Sequence, residues 1–371
     1  MNRDVIIIGG GIHGSAIAYN LARAGVAVVV LERDWVGRHA SGVNAGGVRL
    51  LGRDPAEVAI SKLASQLWQQ LDEELDAGTG FRCRSLINIA ADEEDLHSLA
   101  KRQQLLNNIG HTHEQIIDQQ ELRQRLPHVA HHCVGGVVCE GDGYAIPCQT
   151  TAAFRRAAER HGAQFISPVE VQRIRQLGNC WRVETNKTTF EAQRLVNCAG
   201  AWADKIASQI GDNVPLTCSA PMLMITNRMP HFAFPVVGAV SRVLSFKQFE
   251  NGTVLIGGGA QGFAYRTAKR STLDYAKMST GAQNAIEFFP IMQAATINRM
   301  WAGLEAYLPD NLPVIGSSPS ANNAYHAFGF SAHGFQLAPG VGRVMAELII
   351  TGNSEYDLNP FRADRFERKI L

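Results

Sequence analysis

With 371 residues, 46% of them hydrophobic, the chain can bury a sizeable core and hold two domains. Only 19% of the residues are charged and the formal net charge is +1, so no broad field exists to attract nucleic acid or an anionic membrane. Seven scattered cysteines without a C-x-x-C pair argue for reduced thiols over zinc or redox exchange, and no apolar run reaches the roughly 18 to 20 residues of a transmembrane segment. Met1 to Asp4 lead straight into an apolar run without the parts of a signal peptide, so the expected localisation is cytoplasmic.

Val5-Ile6-Ile7-Ile8 is a continuous β-branched run, the pattern of a strand buried on both faces of a parallel sheet. Gly9-Gly10-Gly11-Ile12-His13-Gly14 follows, and Ser15 to Ala24 is rich in helix formers with Ile17 and Leu21 on one face. Gly9 permits the tight turn, Gly11 lets backbone approach a pyrophosphate, and Gly14 allows close packing of helix on strand. Ile12 and His13 begin the helix, whose free N–H groups and positive dipole end suit an anionic diphosphate. Val26 to Leu31 then reads as a second buried strand ending in Glu32 and Arg33, with the acid about 20 residues beyond the glycines, where it can hold a ribose hydroxyl. Strand, glycine turn, helix, strand and acid in that order make a dinucleotide site, and Glu32 disfavours a ribose 2′-phosphate, leaving FAD or NAD.

The next segment, Ser41-Gly42-Val43-Asn44-Ala45-Gly46-Gly47-Val48-Arg49, is rich in small residues that let backbone approach a flat ring, and by itself reads equally as a surface loop. Asp54 to Arg125 has helical spacing, as at Ile60, Leu63, Leu67 and Leu71, among many Gln, Glu and Lys residues, and is expected to form surface helices. The pair His131-His132 lacks the spacing of a metal site, and none is expected. Short alternating strands occur between Gln164 and Glu191, such as Trp181-Arg182-Val183-Glu184, and again at Met222–Ile225 and Thr253–Gly258. Leu337 to Ile350 reads as an apolar-faced helix, and no repeat or Pro/Ser linker divides the chain, so interleaved domains are expected.

Four segments together resemble the D-amino-acid-oxidase-like FAD-dependent oxidoreductases, in particular the glycine oxidase, sarcosine oxidase and opine or amino-acid dehydrogenase β-subunit group. Ser41-x-x-Asn44-Ala45-Gly46 matches the family's S-x-x-N-A-G, and Val196-Asn197-Cys198-Ala199-Gly200-Ala201-Trp202-Ala203 its V-N-A-A-G-A-W-A. Trp301-x-Gly303-Leu304, with Pro309-Asp310-x-x-Pro313-x-Ile315-Gly316, is similar to W-x-G-L…T-P-D-x-x-P-x-I-G, Leu308 replacing the threonine. Gly329-Phe330-Ser331-Ala332-His333-Gly334-Phe335 resembles G-F-S-G-H-G-F. The likeness covers essentially the whole chain and is weakest between about Leu50 and Val134.

The resemblance implies an α/β fold in which a Rossmann-type FAD-binding domain (1–80, 135–215 and 300–371) is interleaved with an α+β substrate domain (81–134 and 216–299) carrying an antiparallel sheet. It implies FAD contacts from Gly9, Gly11, Ile12, His13, Gly14, Glu32, Arg33, Ser41, Asn44, Ala45, Gly46, Gly47, Val171, Ala199, Gly200, Trp202, Gly303, Leu304, Gly329, His333, Gly334, Phe335 and Gln336. Gly303 stands near where some relatives attach FAD to a cysteine, so non-covalent binding is expected, with His39 the alternative anchor. The implied reaction oxidises an amine or amino acid to an imine, with oxygen, a quinone or a partner subunit as acceptor; no catalytic base is assigned.

Arg49, Glu305, Tyr307 and His333 are the substrate-pocket candidates. Glu305 stands where glycine oxidase relatives often carry an arginine, and Gly52 and Gln336 where sarcosine oxidases carry basic residues. Both departures remove charge that would grip a carboxylate, so a cationic amine, or an acid held by Arg49 or Arg299, fits better than glycine or sarcosine. Two bland readings stay open: an ion pair between Glu305 and Arg299, and a His333 that only satisfies its own turn.

Overall fold

Val5–Ile8 forms an inner strand of a six-stranded sheet, with the apolar side chains of Val5, Ile6 and Ile7 wholly removed from water in the computed structural model, which describes residues 3–367. The sheet order is Val314–Ser317, Ala324–Phe328, Arg194–Asn197, Val5–Ile8, Val28–Leu31 and Gln164–Ile166. All neighbours run parallel except the first two. Burial on both faces explains the absence of alternation, each such side chain contributing about 1.5–3 kcal/mol of hydrophobic stabilisation. The second strand starts two residues later than the apolar run, because Val26 donates its N–H to the Leu21 carbonyl (3.1 Å) and so closes the preceding helix, Ile12–Arg23.

Helices Ile12–Arg23 and Gly334–Thr351 cover one face of this sheet and touch closely: a Cβ at Gly342 would lie 2.8 Å from that of Ala16. The other face carries a three-stranded sheet, Val171–Leu177, Cys180–Thr185 and Thr189–Ala192, whose Ile174, Trp181 and Val183 bury against Ile6, Ile8, Val29 and Leu31.

A second body is built on an eight-stranded sheet in the order Ile297–Ala302, Met222–Thr226, Val254–Gly257, Ser245–Gln248, Val236–Ala239, Leu86–Ala90, Gly135–Cys139 and Gln115–Asp118. Its pairs are antiparallel except Val236–Ala239 with Leu86–Ala90. Alternation divides its faces: Ile87, Ile89, Val237, Phe246 and Ile256 pack with Met278, Phe288 and Phe289, while Leu86, Asn88, Val236 and Ser245 look toward the nucleotide sheet.

Two expectations are corrected here. The Asp54–Arg125 region does hold helices, at Val58–Trp68, Leu71–Glu74, Glu93–Asn108 and Gln119–Arg125, but it also supplies the strands Leu86–Ala90 and Gln115–Asp118. These have five and four residues, too short for a period to be read against helical surroundings. Nor is Val58–Trp68 a surface helix: Ile60, Ala64 and Trp68 pack on Gly334–Thr351, while Leu63 and Leu67 stay half-buried. Strands Gly135–Cys139 and Ile297–Ala302 both belong to the eight-stranded sheet. No described helix is long and apolar enough to cross a membrane.

Candidate active site

A cavity of about 850 Å³ runs between the nucleotide sheet and the eight-stranded sheet. Its floor begins where Val5–Ile8 ends. Gly9 has φ +106°, and a Cβ there would lie 2.3 Å from the Cys198 carbonyl oxygen, so only glycine lets the two turns meet. A Cβ on Gly11 would lie 2.8 Å from Ser41 Oγ, and that hydroxyl accepts the Ile12 N–H at 2.9 Å. The N-cap residue itself, Gly11, offers no side chain, and the helix N-terminus beyond the Ser41 contact faces the cavity, a cradle fitting a diphosphate.

Glu32 accepts the N–H groups of Gly10 and Asp34, both at 2.8 Å, and lines the cavity. Burial raises its pKa, and these two bonds oppose the rise. Arg33 lies over the Trp202 ring, its guanidinium carbon 3.8 Å from the centroid, and the His39 ring sits 4.7 Å from the same indole. Asn197 shapes the turn before Trp202: its side chain donates to the Ala203 carbonyl and accepts the Ala199 N–H. Asn44 does the same for the small-residue loop, bonding the Ala40 carbonyl (2.8 Å) and the Gly46 N–H (2.7 Å). Trp301 Nε1 then donates to the Val43 carbonyl at 2.8 Å, tying two distant segments into one wall. His13 stacks flat on Phe330 at 3.6 Å, and burial pushes its imidazole down to about 3, which keeps it neutral.

The wall includes Gly9, Gly11, Ile12, His13, Glu32, Arg33, Ser41, Asn44 to Gly47, Arg49, Val171, Ala199, Gly200, Trp202, Gly303, Leu304, Glu305, Tyr307, Gly329, Gly334 and Phe335. Three expected residues do not reach it. Gly14 packs inward, where a Cβ would lie 2.0 Å from the Gly9 carbonyl oxygen. The His333 ring turns to Glu57, with Nδ1 3.1 Å from Oε2. Gln336 is fully buried, its Oε1 accepting from Arg53 Nη2 (3.0 Å) and Ser61 Oγ (2.9 Å) and its Nε2 donating to the Ser61 carbonyl (2.9 Å).

Glu305 lines the cavity, accepts the Ala332 N–H at 3.0 Å, and has no ion-pair partner among the described residues. Its carboxyl is partly open to the cavity yet enclosed by protein, and burial pushes its pKa up to about 7. Arg299 is exposed on the edge strand and does not line the cavity, so the bland ion pair does not form and no acid is held there. Tyr307 accepts from Gln261 Nε2 at 3.2 Å, and burial raises its pKa.

Sequence reasoning missed Arg53, Asn88 and Ser245, which also line the cavity. Arg53 is 1% exposed; its Nε donates to the Arg49 carbonyl (3.0 Å) and its Nη2 to the His333 carbonyl (3.2 Å), while Nη1 has no hydrogen-bond partner among the described residues. The only trace of it was a charge one residue beyond the glycine at 52. Asn88 and Ser245 had no signal beyond their place in short strands.

Residues 4–348 match the model of a family described as FAD dependent oxidoreductase. The chain is 26% identical to one of the subunits of the opine oxidase of Rhizobium meliloti, covering 98% of each chain. It is also 26% identical to the beta subunit of the sarcosine oxidase of Rhodobacter capsulatus, covering 98% of this chain and 89% of that one. Among solved structures, L-proline dehydrogenase from P. horikoshii superposes with a TM-score of 0.92 at 28% identity, covering 99% of this chain and 98% of that one. Glycine oxidase from Geobacillus kaustophilus superposes at 0.90 and 25%, covering 98% and 99%. With the glycine cradle, the ribose-side acid and a family match that spans nearly the whole chain, this protein belongs to the FAD dependent oxidoreductases.

Proposed function

We propose that the chain oxidises the C–N bond of an amine or amino acid, of the glycine, sarcosine, D-amino-acid or opine kind, to an imine. The observation that carries this reading is a single cavity joining the nucleotide cradle to a wall bearing Arg49, Arg53, Glu305 and Tyr307. FAD, when bound, accepts a hydride equivalent from the carbon beside the amine nitrogen. Gly9, Gly11, Ile12 and His13 would hold its diphosphate, Glu32 the ribose and Val171 the adenine side, with Arg33 and Trp202 flanking. Ser41, Asn44 to Gly47, Ala199, Gly200, Gly303, Leu304, Gly329, Gly334 and Phe335 would close around the rest. Arg49 and Arg53 offer positive charge to an acidic group of the substrate, and Tyr307 offers a hydroxyl. The chain's own task is to orient the reacting carbon.

The relatives that are themselves parts of larger oxidases support a second reading, in which the chain is the β-type member of a hetero-oligomeric dehydrogenase that passes electrons to a partner. The acceptor is then that partner or a quinone; in the first reading it is oxygen. Seven unpaired cysteines support a cytoplasmic setting.

The test is the absorbance spectrum of purified protein, followed by anaerobic addition of glycine, sarcosine, proline, D-amino acids, opines and polyamines. Bleaching of the yellow band by one of them is expected. Slow reoxidation by air but fast reoxidation by a dye marks the second reading, and a colourless protein that cannot be reconstituted with FAD overturns both. Acid precipitation should release the flavin into the supernatant, as non-covalent binding requires; colour retained in the pellet would point to a covalent anchor such as His39.

A further inference from the structure

Glu305 opens the short strand Glu305–Tyr307, and its cross-strand partner is Ser219. The side chain therefore has a fixed backbone under it. The loop that supplies its one hydrogen bond is held just as firmly. Ser331 donates its N–H to the Ala306 carbonyl at 3.1 Å, and its hydroxyl accepts the Leu308 N–H at 3.2 Å. Ser331 and Ala332 take φ values of +48° and +70°, conformations that non-glycine residues keep only where surrounding contacts enforce them. The Ala332 N–H is thereby aimed at Glu305.

A carboxylate offers about four lone-pair sites, and a single neutral N–H fills one of them. No Lys, Arg or His among the described residues lies within ion-pair distance. Two nearby acids differ: Glu32 accepts two N–H groups, and Glu57, behind the wall, has His333 at 3.1 Å, while the exposed Glu170 lines the cavity next to Val171, on the adenine side of the proposed FAD site. Glu305 faces the cavity beside Tyr307 with acceptors to spare.

We propose that Glu305 holds a second, permanently protonated nitrogen of the substrate, remote from the C–N bond that is oxidised. The reacting amine itself must be unprotonated when its C–H is cleaved, so an anion gripping that nitrogen as an ammonium ion would stabilise the ground state and oppose the chemistry. A nitrogen that stays charged throughout has no such conflict. The substrate class is thus an amine or amino acid with a distal ammonium, such as a diamine or a basic amino acid. This assignment rests on the amine-oxidising reading above.

The experiment compares FAD-loaded wild type and Glu305→Gln in anaerobic flavin reduction with matched probes: 1,4-diaminobutane against butylamine, and ornithine against norvaline in both enantiomers. The members of each pair share the reacting amine and differ in the distal charge. Wild type should favour the doubly basic member of at least one pair by about 10- to 100-fold in the second-order rate constant, the range of one charge-assisted hydrogen bond. In Glu305→Gln that ratio should fall to about one, and in Glu305→Arg it should invert. An unchanged flavin spectrum in each variant verifies that the site is intact. A ratio near one in wild type, or one that survives Glu305→Gln, overturns the inference. If glycine or sarcosine reduces the flavin while no doubly basic probe reduces it or competes, the inference falls and the amine-oxidising reading stands. If no amine reduces a yellow protein, both fall.

Discussion

The two sides of the cavity are made of different material. The nucleotide side is mostly backbone: glycines without Cβ atoms, a helix end, and turns locked by Asn44 and Asn197. The opposite side is mostly side chain, with Asn88 and Ser245 projecting from the eight-stranded sheet and Glu305 and Tyr307 from their own short strand. A ligand common to a family can be read by the first kind of surface and a variable one by the second. Substitutions should therefore act through steric overlap on one side and through charge on the other.

The largest effect is expected at Gly9→Ala. A Cβ 2.3 Å from the Cys198 carbonyl, on a residue at φ +106°, cannot be accommodated without moving the turn, and flavin content should fall roughly tenfold or more. The ratio of flavin to protein absorbance measures this, and normal colour would show that the cradle is not as rigid as the comparison requires. Next comes Gln336→Leu, which strips the buried Arg53 and Ser61 of an acceptor behind the charged wall. It should cost about 2–4 kcal/mol in urea unfolding while the flavin spectrum is retained.

Glu305 should then leave a pH signature. Its folded pKa of about 7 lies above the ordinary carboxylate value, so between about pH 4.5 and 7 the folded chain keeps a proton that the unfolded chain has lost. Folding is favoured by this group at low pH, and the advantage disappears as pH rises through 7. Wild type should gain on the order of 1–2 kcal/mol relative to Glu305→Gln on going from pH 8 to pH 5, once cavity water screens part of the shift. Parallel melting curves for the two proteins across that range would contradict it. Arg299→Ala should do least, within about 0.5 kcal/mol and without change in substrate preference, since the side chain is exposed and off the cavity.

This contrast also governs what the sequence revealed. Backbone constraints leave marks in residue type, so Gly9, Gly11, Gly14 and Glu32 could be placed from spacing alone. Orientation around a helix leaves a weaker mark. Phe335 faces the cavity, but one residue further along a helix of 3.6 residues per turn, Gln336 has rotated onto Val58–Trp68. His333, just before that helix, bonds Glu57, a partner no motif announces. Arg53 escaped because the position matched with relatives was 52, whereas its side chain crosses back under the Arg49 carbonyl to reach the wall. The strands Leu86–Ala90 and Gln115–Asp118 were invisible because neither is long enough to display a period, and both owe their state to partners distant in sequence.

The bond from the Trp301 indole to the Val43 carbonyl spans 258 residues. In order of synthesis the glycine turn precedes the matching wall, from Gly303 to Phe335, by most of these residues. Cofactor capture must accordingly wait until both segments have been made.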